Sequence, residues 1–133
     1  MILPHNHKLI GVALIWNEAG KILIDRRKPG GAFGGLWEFP GGKKELNETI
    51  EDCIKREIFE ELGIEIVVEE HLITIDHSYS EIRVTLHVYH CRYLGGVPKT
   101  IECDEFRWVT LDEIDEFTFP EANKQIITAL KKT

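Results

Sequence analysis

The apolar positions of this chain follow two rhythms. Ile50, Ile54 and Ile58 recur at the spacing of one helix face, whereas elsewhere apolar residues crowd into short β-branched and aromatic runs set apart by Gly, Pro and Asn. Thr49 is placed to cap the helix, Asp52 follows at capping-box spacing, and Gly63 supplies a left-handed stop. Residues 9–16 and 21–27 read as strands joined by the hairpin signal Asn17-Glu18-Ala19-Gly20. Alternation in the second strand puts Ile22 and Ile24 on one face and Leu23, Asp25 and Arg27 on the other. Residues 64–68, continuing through 72–77, are expected to pair antiparallel with 83–93 across 78–82. Gly95-Gly96-Val97-Pro98 is a turn, and residues 106–109 form a strand ending at Thr110, where Thr110 and Glu113 make a second capping box for a short helix. The last helix, over residues 119–130, carries Pro120 in its first turn and docks through Ile126, Ile127 and Leu130.

Three glutamates change the meaning of the first helix. At about 100° per residue, with Glu57 at zero, Glu61 projects near about +40° and Glu60 near about −60°, while the isoleucines span about +20° to +100°. Glu57 and Glu61 therefore fall inside the apolar stripe, where a solvated acidic face would not be. Like charges four residues apart disfavour a helix by roughly 0.2–0.5 kcal/mol, and partial burial raises that cost. A cation offsets it. Carboxylate oxygens are hard ligands, and Mg2+, with Mn2+ as substitute, suits them while leaving room for water and phosphate.

Composition narrows the partners. The chain has 133 residues, enough for one domain over 1–133 with its own core, and 16 Lys+Arg against 23 Asp+Glu give a net charge of −7. No broad basic footprint is available for a nucleic-acid polymer, whereas a small anion escorted by metal is compatible. Cys53, Cys91 and Cys103 are odd in number and widely separated, as expected of reduced, buried thiols. His71, His77, His87 and His90 read as ordinary strand histidines. No apolar run reaches membrane-spanning length, so a soluble, cytoplasmic protein is expected, with no membrane partner.

Gly42, five residues, Glu48, seven residues, then Arg56-Glu57-Ile58-Phe59-Glu60-Glu61-Leu62-Gly63-Ile64 resembles the complete Nudix box, G-x5-E-x7-R-E-U-x-E-E-x-G-U. The resemblance implies an α+β fold, an α/β/α sandwich with a mixed, curved sheet between the box helix and the last helix. It also implies hydrolysis of a nucleoside diphosphate linked to another moiety, with divalent metal held by Glu57, Glu60, Glu61 and the Gly41 carbonyl. A glutamate six residues before Trp108, Glu102, is the implied extra ligand, with Glu105 in reserve. The catalytic set is then Glu57, Glu60, Glu61, Arg56 and Glu102, with Glu57 or else Glu102 taking the proton of the attacking water. Arg56 orients a neighbouring acid and Glu48 fixes the loop–helix junction.

Trp37-Glu38-Phe39-Pro40-Gly41-Gly42-Lys43 and Phe119-Pro120-Glu121-Ala122-Asn123 resemble the MutT branch of this family, which cleaves 8-oxo-dGTP to 8-oxo-dGMP and pyrophosphate. Carried over, Arg27, Glu38, Phe39, Pro40, Gly41 and Asn123 surround the substrate. In that set Asn123 reads the base edge, Phe39 lines the base pocket and Arg27 touches the nucleotide. From the residues alone, Arg27 reads as an exposed edge arginine before a phosphate contact, and Asn123 as a surface amide before a base reader. The glycine-rich residues 28–36 lack dinucleotide-loop or P-loop spacing and read as a mobile loop beside the site, a lid candidate. Two positions depart from the pattern. Asn47 stands where relatives have Gly, and Asn tolerates the same left-handed turn; Glu81-Ile82 replaces an Asp-Arg pair, so one contact is lost or passes to Arg83. CTP or modified pyrimidine triphosphates, ADP-ribose and dinucleoside polyphosphates are the alternative substrates, and a non-catalytic nucleotide-binding module is the alternative class. A monomer acting on a small-molecule nucleotide is expected.

Overall fold

From Val12 to Ile15 strand β1 (His7–Trp16) is apolar at every position because both of its faces are covered. Val12 and Leu14 face one core together with Ala122, Ile126 and Leu130 of helix α2 (Glu121–Lys131). Ala13 and Ile15 face the other, built on Ile54, Ile58 and Leu62 of helix α1 (Ile50–Leu62). The computed structural model describes residues 7–79 and 81–133; residues 1–6 and Ser80, part of the expected turn, lie outside the described residues. Among the described residues no helix is long and apolar enough to cross a membrane.

The remaining strands are β2 (Ile22–Arg26), β3 (Trp37–Glu38), β4 (Gly41–Lys43), β5 (Glu65–Tyr79), β6 (Ile82–Gly95) and β7 (Glu105–Val109). They form one mixed sheet in the order β3-β2-β1-β6-β5, with β4 also on β1 and β7 also on β2. β1 and β6 run parallel from His7↔Arg83 to Trp16↔Arg92, and the other pairs are antiparallel. The β5–β6 hairpin matches the expectation from sequence. The first hairpin matches it only at the turn, where Asn17 Oδ1 accepts from the N–H groups of Ala19 and Lys21, both at 3.0 Å. Beyond Trp16↔Ile22 the strands part: β2 pairs with β7 and β3, while β4 takes the vacated edge of β1 at Ile10, Gly11 and Val12. This divergence opens the sheet where the acids gather.

Local chemistry sets the helix ends. Thr49 Oγ1 accepts from the Asp52 N–H at 3.1 Å, and Gly63, at φ 68°, donates its N–H to the Phe59 carbonyl. Thr110 and Glu113 make both capping-box bonds, at 3.2 and 2.9 Å, ahead of a short 3-10 turn, Glu113–Glu116. Pro120 occupies the N-cap of α2, one residue ahead of the first helical turn expected for it. α1 lies close on β1 at Gly11, where a Cβ would meet Ile54 Cγ1 at 2.7 Å. The three cysteines are buried, and burial pushes Cys53 up to about 11 and Cys91 and Cys103 up to about 12. The strand histidines pair with side chains, His90 accepting from Trp16 Nε1 at 3.0 Å and His77 meeting Gln125 at 3.2 Å.

Candidate active site

The loop before α1 and the helix itself are tied together by one guanidinium. Arg56 donates to both oxygens of Glu48 (2.7 and 3.1 Å), to Glu57 (2.9 Å), to Glu60 (3.0 Å) and to the Lys43 carbonyl (3.1 Å). Glu48 also accepts from the Glu45 N–H at 2.7 Å, and these bonds, Arg56 first, hold its carboxyl down at about 2. Asn47 between them takes φ 69°, the left-handed conformation anticipated for it. Glu57 leans on Gly42, where a Cβ would come within 2.2 Å of its carboxylate. The box glycine is thus required by the acid it faces, beyond any demand of the turn.

Of the three helix acids two turn inward. Glu61 is 7% exposed and the Glu57 side chain 15%, whereas Glu60 is 48% exposed on the flank, held by Arg56. A cleft of about 490 Å3 opens beside them. Arg27, Glu38, Phe39, Gly41, Glu61, Glu102 and Asn123 all line it, together with Lys28, Phe33 and the apolar Ile10, Val12, Val84 and Leu86. Glu57 sits behind Gly42, on an adjoining surface with Lys43, Lys44, Glu45 and Leu46. Pro40 is buried behind the wall, its carbonyl accepting from the Ala13 N–H at 2.9 Å. Glu105 is bound by Arg26 (3.2 Å) and Arg107 (3.3 Å), while Glu102 reaches the cleft. Arg83 cannot take over a cleft contact: strand alternation puts it on the face opposite Val84, where it binds Asp76 at 3.2 Å.

Asp25 is the site residue that sequence reasoning missed. It stands directly across from Glu38 in the β2–β3 register, is 1% exposed, lines the cleft, and its Oδ1 has no hydrogen-bond partner. The one signal for it was an aspartate directly after the apolar run Ile22-Leu23-Ile24.

Burial and crowding work against ionisation of Glu61, Asp25 and Glu38. Burial first, then the charges of Asp25, Glu38 and Glu57, push Glu61 up to about 10. Burial and Glu38 hold Asp25 well above the usual carboxylate range, and burial raises Glu38 even though Arg27 at 3.2 Å pulls it down. Among the described residues no three His, Cys, Asp or Glu side chains stand close enough to make a finished metal cage. In charge and donor type the residues fit a divalent cation: hard oxygens, a surplus of negative charge, and one buried oxygen without a partner. A carboxyl raised in the fold keeps a proton that the unfolded chain gives up above its ordinary value of 4.5, so stability falls as pH rises from about 4.5 to about 10. With EDTA present, the melting temperature is expected to drop across that window, and Glu61→Gln should flatten the drop. Identical slopes for the two proteins would contradict the assignment of Glu61.

A mixed α+β sheet carrying an acid-bearing helix beside its opening is the architecture of a Nudix hydrolase. The NUDIX domain family model matches residues 11–129, and the chain belongs to that family. It is 32% identical over 123 residues to the 8-oxo-dGTP diphosphatase of Escherichia coli (strain K12), covering 92% of this chain and 95% of that one. Its identity to the CTP pyrophosphohydrolase of the same organism is also 32%, over 118 residues, covering 89% and 87%. Among solved structures it resembles the MutT protein from Methanosarcina mazei Go1, with a TM-score of 0.87 and 28% identity over 98% of this chain and 97% of that one.

Proposed function

We propose that this Nudix hydrolase cleaves a nucleoside triphosphate to the monophosphate and pyrophosphate with Mg2+, for which Mn2+ substitutes, and that its preferred substrate is 8-oxo-dGTP. It would then remove a mutagenic precursor from the cytoplasmic nucleotide pool. The observation that carries this reading is that Asn123 and the acids Glu61 and Glu102 line one cleft. Glu57, Glu60, Glu61, Glu102 and the Gly41 carbonyl would hold the cation. When bound, it supplies positive charge opposite the phosphates and makes water more acidic.

The chain's own groups supply the rest. Arg27 and Lys28 line the cleft and attract the phosphates. Arg56 fixes Glu57 through the 2.9 Å bond and keeps it in place against Gly42. A proton acceptor must be ionised at neutral pH, which a carboxyl pushed up to about 10 at Glu61 is not without a cation. Glu57 is engaged by Arg56; Glu102, exposed and on the cleft, accepts the proton of the attacking water. Phe39 stacks on Phe119 with ring centroids 5.5 Å apart and offers an apolar wall for a base.

Asn123 has a fixed orientation. Its Oδ1 accepts from the Phe39 N–H at 3.3 Å, so its amide turns N–H donors to the cleft. Guanine O6 accepts such a donor, whereas the adenine amino group at the same place meets it donor to donor. Asn123→Ala is expected to lower the preference for 8-oxo-dGTP over 8-oxo-dATP by about tenfold, the scale of one neutral hydrogen bond. An unchanged ratio of kcat/KM values removes Asn123 from base readout. Pyrophosphate release with Mg2+ across 8-oxo-dGTP, dGTP, CTP, ADP-ribose and a dinucleoside tetraphosphate tests the whole reading, which fails if 8-oxo-dGTP is not the best substrate.

A further inference from the structure

Asp25 has no task in the scheme above, yet it occupies the least forgiving position in the cleft. Its strand neighbours Leu23 and Ile24 are fully buried, and packing alone would place another apolar residue after them. Asp25 instead buries a carboxylate that faces Glu38 across the β2–β3 pair, with Oδ1 unpartnered and the side chain lining the cleft. Ionised together, two directly opposed carboxylates destabilise a strand pair, and a buried oxygen without a donor costs stability even while the carboxyl keeps its proton. The nearest cationic help is Arg27, which binds Glu38 at 3.2 Å from a position 51% exposed. Glu61 comes from α1 and its charge acts on the same pair, so three carboxyls from three elements line the one cleft.

We propose that Asp25 and Glu38, facing Glu61, form a second divalent-cation site on the strand side of the cleft, with Asp25 Oδ1 as a ligand. The inference rests on the reading of the cleft as a metal-dependent hydrolase site, and goes beyond it by adding strand ligands to the helix and loop set. The ion it takes is a hard divalent cation, Mg2+ or Mn2+, because every donor is a carboxylate oxygen. Such an ion replaces the missing donor at Oδ1 and relieves the repulsion between β2 and β3 in one step.

The test is a Mn2+ titration of the substrate-free protein, followed through the electron paramagnetic resonance signal of the free ion. Wild type is expected to bind more than one Mn2+ per chain. Asp25→Asn and Asp25→Ser should each lose one of them or weaken it by at least about tenfold, a loss on the scale that disrupted metal environments show. In EDTA both variants should melt above wild type, since the buried ionisable carboxyl facing Glu38 is gone; with Mn2+ they should gain less than wild type. Glu57→Gln, altered only in the box set, should keep the strand-side ion. Wild-type count and affinity in both Asp25 variants would overturn the inference and leave the box reading standing. No Mn2+ uptake by wild type would overturn both. Should neither Asp25 variant fold, Glu38→Gln is expected to show the same loss, and undiminished binding there also overturns the proposal.

Discussion

Glu61→Gln is expected to lower kcat by about two to three orders of magnitude while the fold persists, the scale lost with one preorganised electrostatic group. Glutamine matches glutamate in shape, so the 7% exposed position stays filled. What it removes is the buried charge that Asp25, Glu38 and Glu57 crowd, and that only a cation makes tolerable at neutral pH. The metal-free variant should therefore melt no lower than wild type, and activity and stability should move apart. Initial rates of pyrophosphate release at saturating Mg2+ and nucleotide, set beside melting curves in EDTA, decide it. Near-normal turnover would remove Glu61 from the working acids.

Gly42→Ala is the second large effect. A Cβ there lands 2.2 Å from the Glu57 carboxylate, and Glu57 is the end of a flexible side chain, so the acid moves and the backbone does not. Gly42 is absent from the positive-φ glycines, which leaves alanine compatible with the chain path. The expected result is a small change in melting temperature with kcat down by about a hundredfold, the cost typical of an ångström-scale misplacement of a reacting group. The displaced carboxylate also pulls on Arg56, which holds Glu48, Glu57 and Glu60 together. Wild-type kcat in the alanine variant would show that the position of Glu57 against the loop is not critical.

Much of the helix was legible in sequence because its signals are local. Thr49, Asp52 and Gly63 lie within the span they delimit, and the inward turn of Glu57 and Glu61 follows from angle alone. The same arithmetic put Glu60 at the edge of the arc, where Arg56 draws it onto the exposed flank. Strand alternation placed Asp25 on the Leu23 face but said nothing of its burial, which depends on pairing with Glu38 thirteen residues along the chain. The parallel β1–β6 pairing, and the departure of β2 toward β7, also join segments far apart in sequence, and no local pattern encodes them. Arg83 shows the converse: the period-two rule alone, applied from Val84, excludes it from the cleft.

The burial of the thiols has a chemical consequence. Cys53, Cys91 and Cys103 are pushed up to about 11 or 12, so at neutral pH almost none of their sulfur is the nucleophilic thiolate that peroxide attacks. The sequence carries a single methionine besides. If the proposed substrate is right, the enzyme works where oxidants are abundant, and it offers them little sulfur to consume.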